Sequence, residues 1–193
     1  MPDPAVGSSD VAAEKSALRA RLLAARRDRD ADDLAAARHA IADAVLAHAR
    51  ARGWRRVAAY EPLRTEPGSA ELLERLVAAG VQVLVPVTLE DRDLDWEPWP
   101  DRGPLGVASV ATVDAVLVPA LAVARDGTRL GRGGGSYDRA LARCPAVETV
   151  ALLFDGEVVA ALPRQKWDRP VHAALTPSGW VDTVRNTDVT PDR

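Results

Sequence analysis

The chain has 193 residues, 47% of them hydrophobic and 27% charged, and a formal net charge of −3. This length supports one domain with a substantial core, and the slightly acidic balance gives no indication of a nucleic-acid-binding surface, so any anion site must be local. The only cysteine is Cys144, which excludes an internal disulfide framework and a multi-cysteine metal site and is typical of a reducing cytosol.

The sequence shows no targeting or membrane segment. Residues 1–10 contain no basic region followed by an apolar stretch, so no secretory signal is visible. The longest apolar run, 115–124, is far shorter than the roughly 20 residues that a membrane span needs. We expect a cytoplasmic monomer that binds neither nucleic acid nor membrane, a single domain over 1–193, with flexible ends at 1–10 and 183–193.

Two helices are predicted first. Ser9 or Asp10 can cap a helix that runs to about Arg29, and a second helix spans roughly 32–52 and ends at Gly53. In the first helix, Lys15 and Arg19 are four residues apart and share a face. From spacing alone, a solvated cationic stripe is the simpler interpretation of this pair.

From residue 56 onward, strand-like and helix-like segments alternate. We predict a helix after Ser69 that ends at Gly80, and another over 137–143. The predicted strands are 57–60, 81–87, 94–99, 113–118, 149–154 and, as a last edge strand, 173–176. Alternation of this kind predicts an α/β fold with a mainly parallel sheet and right-handed crossovers. Ligands bind beyond the carboxyl ends of such strands, where Glu61 and Glu66 follow the first strand.

A glycine-rich loop follows the 113–118 strand and is expected at the same edge. Four of the thirteen glycines fall within 131–135, and Arg129 and Arg132 lie beside and inside the run. Glycines allow close approach of the backbone to a ligand, and a helix start offers free N–H groups to an anion. The loop fits neither the Walker A pattern nor the dinucleotide fingerprint. A phosphate-binding loop and a flexible hairpin-like turn are the two interpretations.

Asp138 follows this loop closely. A carboxylate beside a phosphate loop would repel the ligand unless it caps the helix or holds a cation, for which magnesium is suited. Capping and metal binding both remain open on this evidence.

The segment 130–138, together with Asp126-Gly127 before it, resembles the signature of the 5-formyltetrahydrofolate cyclo-ligase family, also called methenyltetrahydrofolate synthetases. The resemblance covers most of the chain and extends to 15–19, 60–66, 152–155 and 168–171. It departs from the family at Ser136, where tyrosine is common, and at Trp167 and His172, where the family often has His and Asp.

The resemblance implies a Rossmann-like three-layer α/β domain with N-terminal helices, similar to the CoA-transferase and ribose-isomerase group. It implies ATP-dependent closure of 5-formyltetrahydrofolate to 5,10-methenyltetrahydrofolate, with ATP and Mg²⁺ as cofactors. Lys15 and Arg132 would be catalytic, Asp138 and Asp168 would bind magnesium, and Glu61, Glu66, Arg132 and Tyr137 would contact the folate. The residues implied for ATP are Lys15, Arg19, Arg129, Leu130, Gly131, Arg132, Gly133, Gly134, Gly135, Ser136 and Tyr137.

Two other functions are compatible with these sequence features. One is an ATP-dependent phosphotransferase or ligase acting on another small substrate, and the other is a non-catalytic module that binds a nucleotide or folate. Trp96 and Trp99 are candidates for an aromatic folate contact, with core packing as the simpler interpretation of each.

Overall fold

The computed structural model describes residues 8–183. The α-helices that these residues form are α1 (Ser8–Arg27), α2 (Ala31–Arg52), α3 (Ala70–Ala78) and α4 (Ser136–Ala142), with a 3₁₀ helix at Val107–Thr112. The strands are β1 (Arg56–Ala58), β2 (Gln82–Thr88), β3 (Leu94–Trp99), β4 (Ala115–Pro119), β5 (Ala122–Ala124), β6 (Arg129–Leu130), β7 (Glu148–Leu152), β8 (Val158–Val159), β9 (Ala173–Thr176) and β10 (Gly179–Asp182).

Gly53 and Ser69 cap their helices as predicted, and Asp30 is a cap that was not predicted. The Asp30 carboxylate accepts hydrogen bonds from the first backbone N–H groups of α2, and Gly53 ends that helix in the left-handed conformation, with a φ of 67°. The Ser69 hydroxyl caps α3 by accepting a hydrogen bond from the backbone N–H of Leu72. These short-range signals explain why the predicted helices agree with the structure to within about two residues.

Seven of the described strands form one sheet in the order β10-β9-β7-β4-β1-β2-β3. The five central strands are parallel, and β3 and β10 are antiparallel to their neighbours. The mainly parallel sheet is therefore confirmed. The chain moves from β1 through α3 to β2 on one side and then returns to β4 on the other side of β1. The strand order thus reverses beside β1, which is where open α/β sheets hold their ligands.

The predicted edge position of 173–176 is wrong. β9 lies between β7 and β10, and β10 (Gly179–Asp182) was not predicted as a strand. Its four residues are too few to show alternation, but Trp180 packs against the core and stacks on His48 of α2, with ring centroids 3.9 Å apart. A long-range contact, which local sequence does not reveal, accounts for this strand.

Alternate residues of the parallel strands enter two separate cores, so the fold has three layers. Val57, Val83 and Leu117 face α2 and α3 on one side of the sheet. Ala58 and Leu84 face α4 and the 3₁₀ helix on the other side. Burial on both faces is the reason that these strands read as continuous apolar runs.

A second, three-stranded sheet with the order β6-β5-β8 separates β4 from the glycine loop. Sequence analysis missed it because strands of two or three residues carry no periodic signal. Its buried residues Ala122 and Leu130, together with the adjoining Leu121, pack against Leu18 and Leu22 of α1. The small sheet therefore fixes α1 beside the glycine loop.

The ends predicted to be flexible lie mostly outside the described residues. Residues 8–10 begin α1, and Thr183 donates its backbone N–H to the carbonyl of His172, at 3.0 Å. Within residues 8–183, no helix is both long and apolar enough to span a membrane.

Candidate active site

A cavity of about 520 Å³ opens where the strand order reverses. Tyr60 and Glu61, which follow β1, form one part of its wall, and Pro119 and Ala120 at the end of β4 form another. The volume lies in the range of ordinary small-molecule sites. The expected ligand edge of the sheet is thus a concave surface.

This cavity brings together all of the predicted site residues except Leu130. Its lining includes Lys15, Arg19, Glu61, Glu66, Arg129, Gly131, Arg132, Gly133, Gly134, Gly135, Ser136, Tyr137, Asp138 and Asp168. The side chain of Leu130 does not line the cavity, because it is 1% exposed and packs in the small core against α1. The alternation of β6 explains this, because successive residues of a strand point to opposite faces.

Two features of the glycine loop (residues 131–135) require glycine. Gly133 has a φ of +105° and Gly135 a φ of +71°, which L side chains rarely adopt. A Cβ on Gly131 would lie 2.7 Å from Nη1 of Arg129, so this glycine permits close approach. The conformation is specific, and it leads directly into the first turn of α4.

Arg129 and Asp138, which flank this loop in sequence, form an ion pair across it. Nη2 of Arg129 donates to Oδ1 of Asp138 at 2.9 Å, and the same oxygen accepts from the backbone N–H of Arg169 at 3.1 Å. No side-chain cap is formed at α4. Of the two interpretations of Asp138, capping is therefore excluded, and the cation beside it here is the buried Arg129 guanidinium.

The cationic stripe of α1 is not solvated, which corrects the simpler interpretation from spacing. Lys15 is only 5% exposed, and its ammonium group contacts the carboxylate of Asp168 and donates to Oε1 of Gln165 at 3.3 Å. Nε of Arg19 donates to the carbonyl of Gly131 at 2.8 Å. Both cations therefore join α1 to the wall of the cavity.

Arg132 and Glu66 connect the glycine loop to the segment after β1. Nε of Arg132 donates to Oε1 of Glu66 at 3.0 Å, while Oε2 of Glu66 accepts from the backbone N–H of Leu63 at 2.9 Å. Glu66 is 4% exposed, whereas the Arg132 side chain is 42% exposed. Glu61 lies at the rim, half exposed, and pairs with Arg102 at 2.6 Å.

The hydroxyl groups of Tyr60 and Tyr137 are buried in the cavity wall, and neither has a hydrogen-bond partner of normal geometry among the described residues. Burial raises the pKa of both phenols, and the nearby Glu66 carboxylate adds to the rise. Both therefore stay protonated and can donate to a ligand. Tyr60 was not among the predicted site residues, although a polar aromatic residue at the carboxyl end of a buried strand is a usable signal.

The two predicted aromatic candidates do not line the cavity. Trp96 is fully buried in the core beneath α4, and Trp99 packs against the opposite core, so the packing interpretation holds for both. Trp167, next to Asp168, lines the cavity and is 52% exposed.

The two carboxylates predicted to bind magnesium, Asp138 and Asp168, both line the cavity. Within residues 8–183, no group of three or more His, Cys, Asp or Glu side chains could hold a metal. The hydrogen bonds that the two carboxylates accept in this part of the chain use only Oδ1 of Asp138 and Oδ2 of Asp168. One oxygen of each remains for a cation. Two carboxylates suit a magnesium ion that also binds nucleotide phosphates, rather than a dedicated metal centre.

The sheet is doubly wound, and the cavity where its strand order reverses is lined by the glycine loop and by Lys15, Arg19, Arg129 and Arg132. These features are typical of α/β proteins that bind a phosphorylated ligand. The sequence model of the 5-formyltetrahydrofolate cyclo-ligase family matches residues 11–177, and the chain belongs to this family. It is similar to a 5-formyltetrahydrofolate cyclo-ligase of Mycolicibacterium smegmatis, with 35% identity over 69% of this chain and 84% of that protein.

Solved structures agree on the fold. A 5,10-methenyltetrahydrofolate synthetase from Mycoplasma pneumoniae superposes with a TM-score of 0.74 at 20% identity, over 85% of this chain and 99% of that one. The corresponding protein of Aquifex aeolicus gives 0.70 at 22% identity, over 93% and 97%. The predicted family and the predicted class of ATP-dependent ligase are confirmed.

Proposed function

We propose that this chain closes 5-formyltetrahydrofolate to 5,10-methenyltetrahydrofolate at the cavity beside β1, using ATP and releasing ADP and phosphate. The observation that carries the proposal is the Arg132–Glu66 ion pair, because it joins a phosphate-type loop to a buried carboxylate within one cavity. A phosphate donor and a ring with N–H groups can therefore meet at one guanidinium.

The phosphate end is the glycine loop with the cations around it. Gly133 and Gly135 hold the positive φ angles of the loop backbone that lines the cavity, and Arg19 lies against the loop without a carboxylate partner among the described residues. Lys15 approaches from α1 on the same side. Together these groups supply the charge neutralisation on which phosphoryl transfer depends.

Asp138 and Asp168 are the residues that would hold magnesium. The ion would supply neutralisation of the charge on the nucleotide phosphates. Because Asp138 and Asp168 also contact Arg129 and Lys15, ATP binding would redistribute these pairs, with the carboxylates turning to the cation and Lys15 to phosphate.

The folate end is formed by Glu66 and the two phenols. A pterin presents an amide-like N–H edge, for which the Glu66 carboxylate is a fitting acceptor. Tyr60 and Tyr137 lie in the same wall, and their protonated hydroxyl groups are donors without a hydrogen-bond partner among the described side-chain contacts. Glu61 lies further out, at the rim.

The reaction requires the formyl oxygen to become a leaving group. The oxygen attacks the γ-phosphorus of ATP and displaces ADP, and the formyl carbon becomes a stronger electrophile. N10 then attacks this carbon and loses its proton, and phosphate departs with the former formyl oxygen. The protein supplies position and charge rather than a covalent nucleophile. Arg132 and Lys15 are the proposed catalytic cations.

An absorbance assay for the methenyl product tests this function. We expect product only when 5-formyltetrahydrofolate and ATP are both present, and a strong dependence on magnesium. Absence of product under every combination would overturn the proposal. Cytoplasmic location, a monomeric state and the further likeness to the CoA-transferase and ribose-isomerase group stay predictions from sequence.

A further inference from the structure

Arg38, on the side of α2 that faces the sheet, reaches across to the segment that carries Glu66. Its Nε and Nη2 both donate to the carbonyl of Glu66, each at 3.0 Å. Nη2 also donates to the carbonyls of Arg64 at 2.9 Å and Leu63 at 3.3 Å. One guanidinium thus donates hydrogen bonds to three backbone carbonyls within residues 63–66.

The segment that it holds, residues 61–68, contains no regular secondary structure and connects β1 to α3. Two hydrogen bonds within this segment join Glu66 to Leu63. The backbone N–H of Glu66 donates to the carbonyl of Leu63, and the Glu66 carboxylate accepts from the N–H of Leu63, both at 2.9 Å. Arg38 closes this turn from outside, so the direction of the Glu66 side chain depends on it.

The chemistry of this contact favours arginine. A planar fork can donate to several carbonyls at fixed angles, whereas a lysine ammonium is a point charge on a flexible stem. Partial burial lowers the pKa of Arg38, while the nearby Tyr60 and Glu66 raise it. The guanidinium is therefore held beside two groups of the proposed folate end, and it lies outside the lining of the cavity.

We infer that Arg38 is a positioning residue for folate recognition: it fixes the turn that aims the Glu66 carboxylate into the cavity, a role that rests on the proposed assignment of Glu66 to the folate. Arg38 touches neither reacting atoms nor nucleotide. Its loss should therefore weaken folate binding selectively and leave the phosphate end intact.

The test compares Arg38→Gln and Arg38→Lys with the control Arg75→Gln. Arg75 of α3 also contacts α2, through Asp43 at 2.5 Å, and pairs within α3 with Glu71 at 3.1 Å, but it is not among the residues that line the cavity. Dissociation constants for 5-formyltetrahydrofolate without ATP, and for ATP without folate, are measured by equilibrium dialysis, along with the Tm of each variant.

We expect Arg38→Gln to weaken folate binding about tenfold or more, the scale for losing hydrogen bonds from a charged group. Arg38→Lys should fall between this variant and the unsubstituted protein. ATP binding should change less than about twofold. Arg75→Gln should leave both constants unchanged even where its Tm falls. In a Glu66→Gln background, Arg38→Gln should add little, because the group that it aims is already altered.

Three results would overturn the role of Arg38. The first is an unchanged dissociation constant for folate in Arg38→Gln, and the second is an equal rise of the dissociation constants for folate and ATP together with a lower Tm. The third is that the effects of Arg38→Gln and Glu66→Gln on the free energy of folate binding add in full. If Arg38→Gln does not fold, Arg38→Lys carries the same comparison. Failure of the unsubstituted protein to bind 5-formyltetrahydrofolate would instead overturn the proposed function, and the role of Arg38 with it.

Discussion

Arg132 and Glu66 form an ion pair of 3.0 Å between an exposed guanidinium and a carboxylate that is almost fully buried. The carboxylate is fixed by the N–H of Leu63, whereas Arg132 projects from a loop of glycines. Arg132 is therefore the more exposed partner of the pair. If Glu66 binds the folate as proposed, we expect Arg132 to move towards a phosphate when a folate N–H takes its place on Glu66, which would couple occupancy of the two ends of the cavity.

Replacing Arg132 with alanine should lower kcat by about 10²-fold or more, the scale for losing one donor that stabilises developing charge. Steady-state rates of methenyl formation measure this effect. Arg139→Ala is a suitable control because Arg139 lies on α4 and bonds the carbonyl of Asp91, outside the cavity. Equal rates for Arg132→Ala and the unsubstituted protein would return the glycine loop to a structural role.

Glu66→Gln should weaken 5-formyltetrahydrofolate binding by about tenfold or more while ATP binding stays nearly intact. Glutamine has one acceptor oxygen, and the N–H of Leu63 already requires it, so the amide NH₂ would face both Arg132 and the ligand. Separate titrations with each ligand measure the two affinities. Glu61→Gln should have the smaller effect, because Glu61 is half exposed and paired with Arg102. Normal turnover of the folate by Glu66→Gln would refute the substrate assignment.

Lys15→Met should both destabilise the protein and raise the KM for ATP. The substitution leaves the Asp168 carboxylate buried without its cation, which typically costs about 3 kcal/mol or more. Urea unfolding measures the stability and kinetics measure the KM. The double substitution Lys15→Met with Asp168→Asn should recover stability, because no buried carboxylate is then left without its cation. An unchanged KM for ATP in Lys15→Met would show that Lys15 serves only the fold.

The two tyrosines of the chain, Tyr60 and Tyr137, should resist alkaline titration in the folded protein. Burial raises the folded-state pKa of both above the ordinary value of about 10. Because the folded pKa is the higher one, each phenol stabilises the fold below pH 10, and that stabilisation is lost as the pH rises towards the folded value. Absorbance at 295 nm should show no phenolate near pH 10 until the protein unfolds. Ordinary titration of either hydroxyl in the folded state would mean that it is open to water.

The features that sequence predicted are those encoded locally. Gly53 and Ser69 cap their helices through neighbouring backbone groups, and the glycine loop is recognisable from composition alone. The parallel strands follow from apolar runs buried on both faces. From the order of elements, the position of the loop at the ligand edge could be predicted as well.

The features that sequence missed depend on partners distant along the chain. Arg38 lies 28 residues from Glu66, so no local pattern distinguishes it from a solvated cation. Lys15 lies 153 residues from Asp168, and it was predicted as a site residue only through the family resemblance, because its spacing alone favoured a solvated stripe. β10 and the small sheet are too short for periodicity, and long-range packing holds them. Leu130 was assigned by motif, whereas its burial follows from the strand that contains it.

The central claim is that a phosphoryl group passes from ATP to the formyl oxygen, and oxygen labelling tests it most directly. With 5-formyltetrahydrofolate carrying ¹⁸O in its formyl group, mass spectrometry of the inorganic phosphate should find one labelled oxygen for each methenyl product formed. Label found in water, with none in the phosphate, would contradict the account.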